Sequence, residues 1–169
     1  IPAIYDLSYA SSSKIWLAGR TQSFFRYDPM PDGTIRQQIV KHPHKTAEHL
    51  AWAGEEAGTA VSWEGRGIHF EVGKRAHPPL LRGIKIDDLE ITPDGQTLVA
   101  LGDDSLHFFT QENEYQEAES IDAGSAKKFL LHHEGQRILL AYADRFRCLS
   151  RDNAETLWEF PHELKSQSY

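Results

Sequence analysis

Apolar positions recur along this chain in a fixed order: a short apolar strand, a small polar turn, and a second, more continuous apolar strand. Matching residues of the first strands follow one another at spacings of 43, 39 and 40 residues: Leu7, Leu50, Leu89 and Phe129. The four stretches are "YDLSYASSSKIWLAG", "EHLAWAGEEAGTAVSWEG", "DDLEITPDGQTLVALGDD" and "KKFLLHHEGQRILLAYAD". This spacing predicts four copies of one structural unit.

Two further strands complete each unit. A third strand follows a tight polar turn, and a more polar fourth strand comes after it: "TIRQQIV", "PLLRGIK", "YQEAESI" and "ETLWEF". The second strands are apolar at consecutive positions, which is typical of burial on both faces, whereas the fourth strands have the polarity of an outer edge. Helical periodicity is confined to the tail "PHELKSQSY". We therefore predict an all-β fold of four-stranded antiparallel units at 3–43, 44–85, 86–126 and 127–160, with a tail at 161–169.

These units resemble the blades of a β-propeller of the WD-repeat type, which has repeats of this length and four strands per blade. "HKTAEHLAWAGEE" is similar to the family's opening His with alternating apolar positions, and "LEITPDGQTLVALGDDSLHFF" is similar to its central hairpin. The resemblance covers essentially the whole chain. It departs from the family because no unit has the Trp-Asp pair or the full set of buried hydrogen-bonding residues. Other propeller families with Pro-Asp-Gly turns also fit.

The resemblance raises the question of ring closure, because four units leave no strand over to clasp the ring. A compact four-bladed ring, an open arc completed by another chain, and a fragment of a larger propeller are all open. An open arc would expose apolar faces on its terminal blades, which soluble monomers rarely tolerate. We therefore expect a second copy or a different protein to complete the arc, with a fragment as the next alternative.

Composition narrows the function classes. The chain has 169 residues, 40% of them hydrophobic, which fits one globular domain. A net charge of -7 without a Lys/Arg block argues against a protein built to bind nucleic acid. The single cysteine, Cys148, excludes an internal disulfide and is expected to be a small buried hydrophobe. We expect no membrane span, no cofactor and an intracellular location, cytoplasmic or nuclear.

The acidic stretch "EITPDGQTLVALGDDSLHFFT" invites a cation site. Asp94 and Asp103, however, flank a strand of about seven residues, so roughly 25 Å separates them. Pro93, Asp94 and Gly95 have the composition of a tight turn. Asp104 and its neighbours lack the alternating oxygen ligands of a calcium loop.

Histidines give a second candidate for a metal site. His42 and His44 lie close to His49, but a third ligand is not evident nearby. We therefore predict no metal.

By the propeller resemblance, the turns between second and third strands share one rim with the connections between blades. Three of these turns contain an arginine and the other contains two aspartates: Arg20, Arg66, Arg145, Asp103 and Asp104. A basic rim with one acidic sector could bind an acidic or phosphorylated peptide or another chain. Trp52 and Trp63 could add aromatic contacts near that rim, although burial between blades is the first expectation for both.

Motifs for catalysis are missing: there is no Gly-rich phosphate loop, no nucleophile elbow and no supported Cys/His pair. We therefore expect a non-catalytic scaffold that presents its rim to a protein or peptide, as part of a larger complex or oligomer. The alternative is a channel enzyme of the lactonase or hydrolase kind, perhaps calcium-dependent. Its ligands would come from acids near the innermost strands: Asp6, Glu48, Asp87, Asp88 and Glu90.

Overall fold

Four antiparallel sheets of four strands each make up the fold. The computed structural model describes residues 4–10, 14–19, 23–41, 48–54, 58–63, 67–72, 75–132 and 135–162. Within every sheet the strands follow one another in chain order, so each sheet is a simple up-and-down meander. The predicted all-β fold of four-stranded, blade-like sheets is confirmed.

The strand bounds are as follows. Sheet 1 contains β1 (Ile4–Ala10), β2 (Lys14–Gly19), β3 (Ser23–Pro29) and β4 (Ile35–Lys41). Sheet 2 contains β5 (Leu50–Gly54), β6 (Gly58–Trp63), β7 (Gly67–Val72) and β8 (Arg75–Ala76). Sheet 3 contains β9 (Ile86–Ile91), β10 (Thr97–Gly102), β11 (Ser105–Thr110) and β12 (Glu117–Asp122). Sheet 4 contains β13 (Lys128–His132), β14 (Arg137–Ala141), β15 (Arg145–Ser150) and β16 (Thr156–Pro161).

The sheets stand side by side in chain order. The first strand of each sheet packs against the first strand of the next, β1 against β5, β5 against β9 and β9 against β13. The first strands therefore lie on the inside and the fourth strands on the outside, as in a propeller. Among the described strands, β1 and β13 do not pack against each other in this way, so the sheets form an arc with sheets 1 and 4 at its ends.

The second strand of sheet 3 lies at the centre of this packing. All residues of β10 are buried. Leu98 and Ala100 belong to the core shared with sheet 2, whereas Val99 and Leu101 belong to the core shared with sheet 4. Because successive side chains of a strand point to opposite faces, an uninterrupted apolar run fills two interfaces at once. The prediction of burial on both faces is confirmed for this strand.

The acidic hairpin between β9 and β10 is a turn, as its sequence predicts. The Asp94 carboxylate accepts hydrogen bonds from the Thr92 hydroxyl at 2.6 Å and the Gln96 N–H at 2.9 Å. Gly95 takes a φ of 73°, a left-handed conformation that glycine adopts without strain. Asp94 therefore orders the backbone of its own turn.

Sheet 2 departs from the prediction. The sequence predicts its fourth strand from Pro79 onward, but β8 precedes that residue and pairing resumes only at a single bridge between Ile68 and Leu80. Pro78 and Pro79 lie between the two paired segments and have no N–H to donate, so the ladder is interrupted there. The prediction for this strand is wrong in its position.

Two smaller elements also bear on the predictions. A short 3₁₀ helix at Gln111–Asn113 connects β11 to β12 and was not predicted. The predicted tail helix falls largely on residues 163–169, which lie outside the described residues.

Two leucines test the central packing. Leu101 is 1% exposed in the core between sheets 3 and 4, whereas Leu157 on β16 is 47% exposed. We expect Leu101→Ala to lower the free energy of unfolding by about 2–5 kcal/mol. Leu157→Ala, the matched control, should lower it by less than about 1 kcal/mol. Urea unfolding at low micromolar protein concentration measures both, and equal losses would contradict the assignment of β10 as the central strand.

Candidate interaction surface

Arg145 is the one rim arginine whose surroundings the structure describes. It begins β15, and its guanidinium donates to both oxygens of Asp144, at 2.9 and 3.1 Å. A second carboxylate, Glu159, lies 3.5 Å from its Nε, and the guanidinium stacks over the Tyr142 ring at 4.3 Å. Its positive charge is therefore largely offset within its own sheet.

The acidic sector of the rim is a two-residue turn between β10 and β11. Asp103 and Asp104 have φ values of 49° and 60°, the backbone of a tight hairpin turn, and both are exposed. Arg20 and Arg66 lie outside the described residues. A continuous rim of mixed charge that binds an acidic or phosphorylated peptide thus stays a prediction.

Of the two tryptophans proposed as rim contacts, Trp52 has a described side chain. Trp52 is 2% exposed, and the Arg26 guanidinium of sheet 1 lies 5.8 Å from its ring centroid. It therefore packs between sheets 1 and 2, in agreement with the burial between blades predicted for it. The side chain of Trp63 lies outside the described part of the chain. The role of both in partner binding stays a prediction.

A large apolar surface lies instead on sheet 4, on the face turned away from sheet 3; we call it the trailing face. The strand register places Leu130, Leu139, Cys148 and Trp158 in one row across this face, and Ala141, Phe146 and Phe160 in the next. Trp158 and Phe160 are 48% and 64% exposed. A groove of about 400 Å³ runs between Leu139, Phe146, Trp158 and Phe160.

The equivalent face of sheet 3 shows which kind of contact such a surface makes. Residues 40 positions earlier occupy the equivalent places in β10 and β11: Val99, Leu101, Leu106 and Phe108 match Leu139, Ala141, Phe146 and Cys148. In sheet 3 all four are at most 1% exposed, and they pack against sheet 4. The trailing face thus has the composition and register of an interface between sheets, and its aromatic side chains are open to solvent.

Cys148 lies within this face but is not open to solvent. It is a free thiol, buried beneath its neighbours. The prediction that it is a small buried hydrophobe is confirmed.

Carboxylates on β9 connect sheets 3 and 4. Asp88 accepts hydrogen bonds from the Phe129 N–H at 3.0 Å and from Lys128 Nζ at 2.9 Å. Glu90 accepts one from the Leu131 N–H at 2.5 Å. These N–H groups lie on the edge of β13 that faces away from β14, and unpaired edge groups of this kind need partners. Asp88 and Glu90 therefore tie two sheets together.

The pKa of Glu90 is raised from its ordinary 4.5 to about 7: burial is the main cause, the Leu131 N–H lowers it, and the nearby Asp88 carboxylate adds a smaller increase. The raised pKa means that the charged form is costly in this position. Near neutral pH the side chain therefore exchanges between a neutral and a charged form while it holds β13.

Of the other acids proposed for a channel site, the structure describes the side chains of Asp87 and Glu48, which both lie near Lys85. Asp87 pairs with Lys85 at 2.8 Å, and the side chain of Asp6 lies outside the described part. Within the described ranges, no group of three or more His, Cys, Asp or Glu side chains could hold a metal ion. His42 and His44 lie outside those ranges.

A second groove, of about 530 Å³, opens between sheets 2 and 3 beside β8. His77 lies in it, with its ring 5.3 Å from that of Phe70 and 5.1 Å from that of Tyr115. Burial lowers the pKa of His77, and the positive charge of Arg75 lowers it further. The ring is therefore neutral at physiological pH and packs as an aromatic side chain.

The residues of the trailing face that sequence reasoning missed were visible in the sequence. The repeat pattern places "ETLWEF" of β16 at a polar outer edge, yet this strand contains two large apolar side chains of the trailing face, Trp158 and Phe160. Residues of this kind on an outer strand indicate a covering partner.

Neither a protein-family model nor a curated protein matches the chain. In the part of the chain that the structure describes, no helix has the length and apolar character to cross a membrane.

The Glu90 contact gives a pH-dependent stability. Because the folded pKa of about 7 exceeds the ordinary value of 4.5, the folded state holds a proton that the unfolded state has lost between these values. Stability from this residue is therefore lost as pH rises through that window. Glu90→Gln retains an acceptor for the Leu131 N–H and removes the charge. We expect the unfolding free energy of Glu90→Gln, measured relative to that of the wild type, to rise by on the order of 1–3 kcal/mol from about pH 5 to about pH 8.

Urea unfolding at both pH values measures this gain. Glu112→Gln, in the exposed 3₁₀ helix, is the matched control and should follow the wild type. If the stability of Glu90→Gln also changes with pH as that of the wild type does, the Glu90 carboxylate is not buried as described.

Proposed function

We propose that this chain is a non-catalytic protein-interaction scaffold, a divergent WD-repeat-like arc that binds a protein through the trailing face of sheet 4. The observation that carries the proposal is the equivalence of this face to the buried face of sheet 3. An apolar surface with exposed Trp and Phe side chains is the kind that forms the centre of protein interfaces.

The chemistry of the face points to a folded partner rather than an extended peptide. The equivalent face of sheet 3 packs broadly against sheet 4, with side chains from three strands of each sheet. A partner with an apolar sheet face of its own would fill the groove beside Trp158 and Phe160 in the same way. The rim arginines are a second candidate surface, for an acidic or phosphorylated partner.

Engagement of the inner carboxylates favours the scaffold over a channel enzyme. Asp88 and Glu90 accept hydrogen bonds from the backbone of β13. Their lone pairs are therefore partly committed to holding the fold, which leaves less capacity for a metal or substrate in the channel.

Capture of partners by immobilised chain tests this function. The face variant combines Trp158→Lys with Phe160→Lys, and the rim variant combines Arg20→Glu, Arg66→Glu and Arg145→Glu. We expect proteins retained by the wild type to fall about tenfold on the face variant, because lysines would have to be desolvated at the interface. The rim variant should retain them. Quantitative mass spectrometry of the eluates measures the ratio for each protein.

Circular dichroism of each variant confirms that it is folded before capture. Loss on the rim variant alone would place the binding surface at the rim and overturn the assignment to the trailing face. An identical set of proteins on all three forms would contradict specific binding altogether.

A further inference from the structure

The opposite end of the arc also has an uncovered apolar face. In sheet 1, Arg26 points toward Trp52 of sheet 2, so its neighbours in β3, Phe25 and Tyr27, lie on the face turned away from sheet 2. The strand register places Ile39 of β4 opposite Phe25 on that same face. We call it the leading face of sheet 1.

The outer part of the leading face is open to solvent. Ile35 and Ile39 are 67% and 65% exposed, although both are large aliphatic side chains. Like Trp158 and Phe160, they lie on the fourth strand of a terminal sheet. Each end of the arc thus exposes the kind of side chain that interior sheets bury.

Within the chain, the trailing face of one sheet packs against the leading face of the next. Sheet 3 shows both: Val99 and Leu101 pack toward sheet 4, while Leu98 and Phe109 pack toward sheet 2. Tyr27 of sheet 1 stands 82 residues before Phe109, the same interval that separates Leu7 from Leu89. The leading face of sheet 1 is therefore equivalent to the face with which sheet 3 packs on its predecessor.

We propose that the partner of the trailing face is a second copy of this chain, whose sheet 1 docks by its leading face onto sheet 4. The inference rests on the proposed function of the trailing face and names its partner. The two faces do not pack on each other within one chain, because among the described strands β1 and β13 lack the packing that joins the other first strands. Two copies related by a two-fold axis make the contact twice and close a ring of eight sheets, four from each copy.

The contact between copies differs in one respect from the contact between sheets 3 and 4. The positions equivalent to Asp88 and Glu90 are occupied in sheet 4 by Lys128 and Leu130, so carboxylates do not tie the edge of the incoming strand. Each chain also has a net charge of -7, which opposes association. The contact therefore depends on apolar burial, and sodium sulfate, which favours such burial, should strengthen it.

The mass of the purified 169-residue chain in solution is the first test. We expect light scattering after size exclusion to give twice the 19.2 kDa monomer mass, with dissociation on dilution. A monomer at every concentration, with and without sulfate, would overturn the inference. It would leave the proposed function standing, provided that the face variant still loses captured proteins.

Paired variants test which faces meet. Phe160→Lys disables the trailing face and Ile39→Lys the leading face; both positions are exposed, so each chain should still fold. Each variant alone should be monomeric, because every contact needs one intact face of each kind. Mixing them restores one contact, between the leading face of the Phe160→Lys chain and the trailing face of the Ile39→Lys chain, and should restore the dimer mass.

Ser120→Lys places the same charge on the exposed outer strand of an interior sheet and should remain dimeric. If Ile39→Lys alone stays dimeric while Phe160→Lys does not, sheet 4 pairs with sheet 4 of the second copy. Failure of the mixture to recover any dimer, at concentrations where the wild type is fully dimeric, would show that the two faces do not meet. Either result overturns the head-to-tail pairing.

Discussion

Burial of both faces of a sheet by its neighbours is the constraint on which this structure depends. A strand such as β10, with every side chain buried, cannot exist in a two-layer sandwich, where one face meets water. It requires a sheet on either side, and each of those sheets has the same requirement in turn. The apolar faces at the two ends of such a stack are buried only when the last sheet packs against the first or when other groups cover them. The exposed aromatic residues of sheet 4 follow directly from this requirement.

Apolar packing sets the order of the sheets, but polar contacts fix how their inner edges meet. The edge of β13 has backbone N–H groups that apolar neighbours cannot satisfy, and Asp88 and Glu90 on β9 supply the acceptors. Burying a carboxylate for this purpose is costly, as the raised pKa of Glu90 shows. The contact therefore contributes more to the alignment of the sheets than to their cohesion.

The sequence alone predicted the sheets because the repeat is carried by local patterns: a continuous apolar second strand, polar turns, and the interval of 40 residues that relates β10 to β14. The sequence misplaced β8 because Pro78 and Pro79 interrupt its pairing with β7, which resumes only at Leu80. The Glu90 contact could not be found, since it joins residues 41 positions apart whose meeting depends on the packing of whole sheets. The repeat hides the trailing face for a different reason: Trp158 and Phe160 lie on a strand that the repeat predicts to be a polar outer edge, although their chemistry favours burial.

In the proposed pairing of two copies, the angle between successive sheets would have a consequence beyond a single pair of molecules. Two complementary ends can join without limit, and only the accumulated rotation decides whether the assembly returns to its start or continues as a filament. A substitution that alters the tilt between β9 and β13 by a few degrees is applied again at every equivalent contact. The carboxylates of Asp88 and Glu90 lie at that junction and help to set its angle. In the proposed assembly, the geometry of these hydrogen bonds within each copy would therefore help to decide the symmetry of the whole.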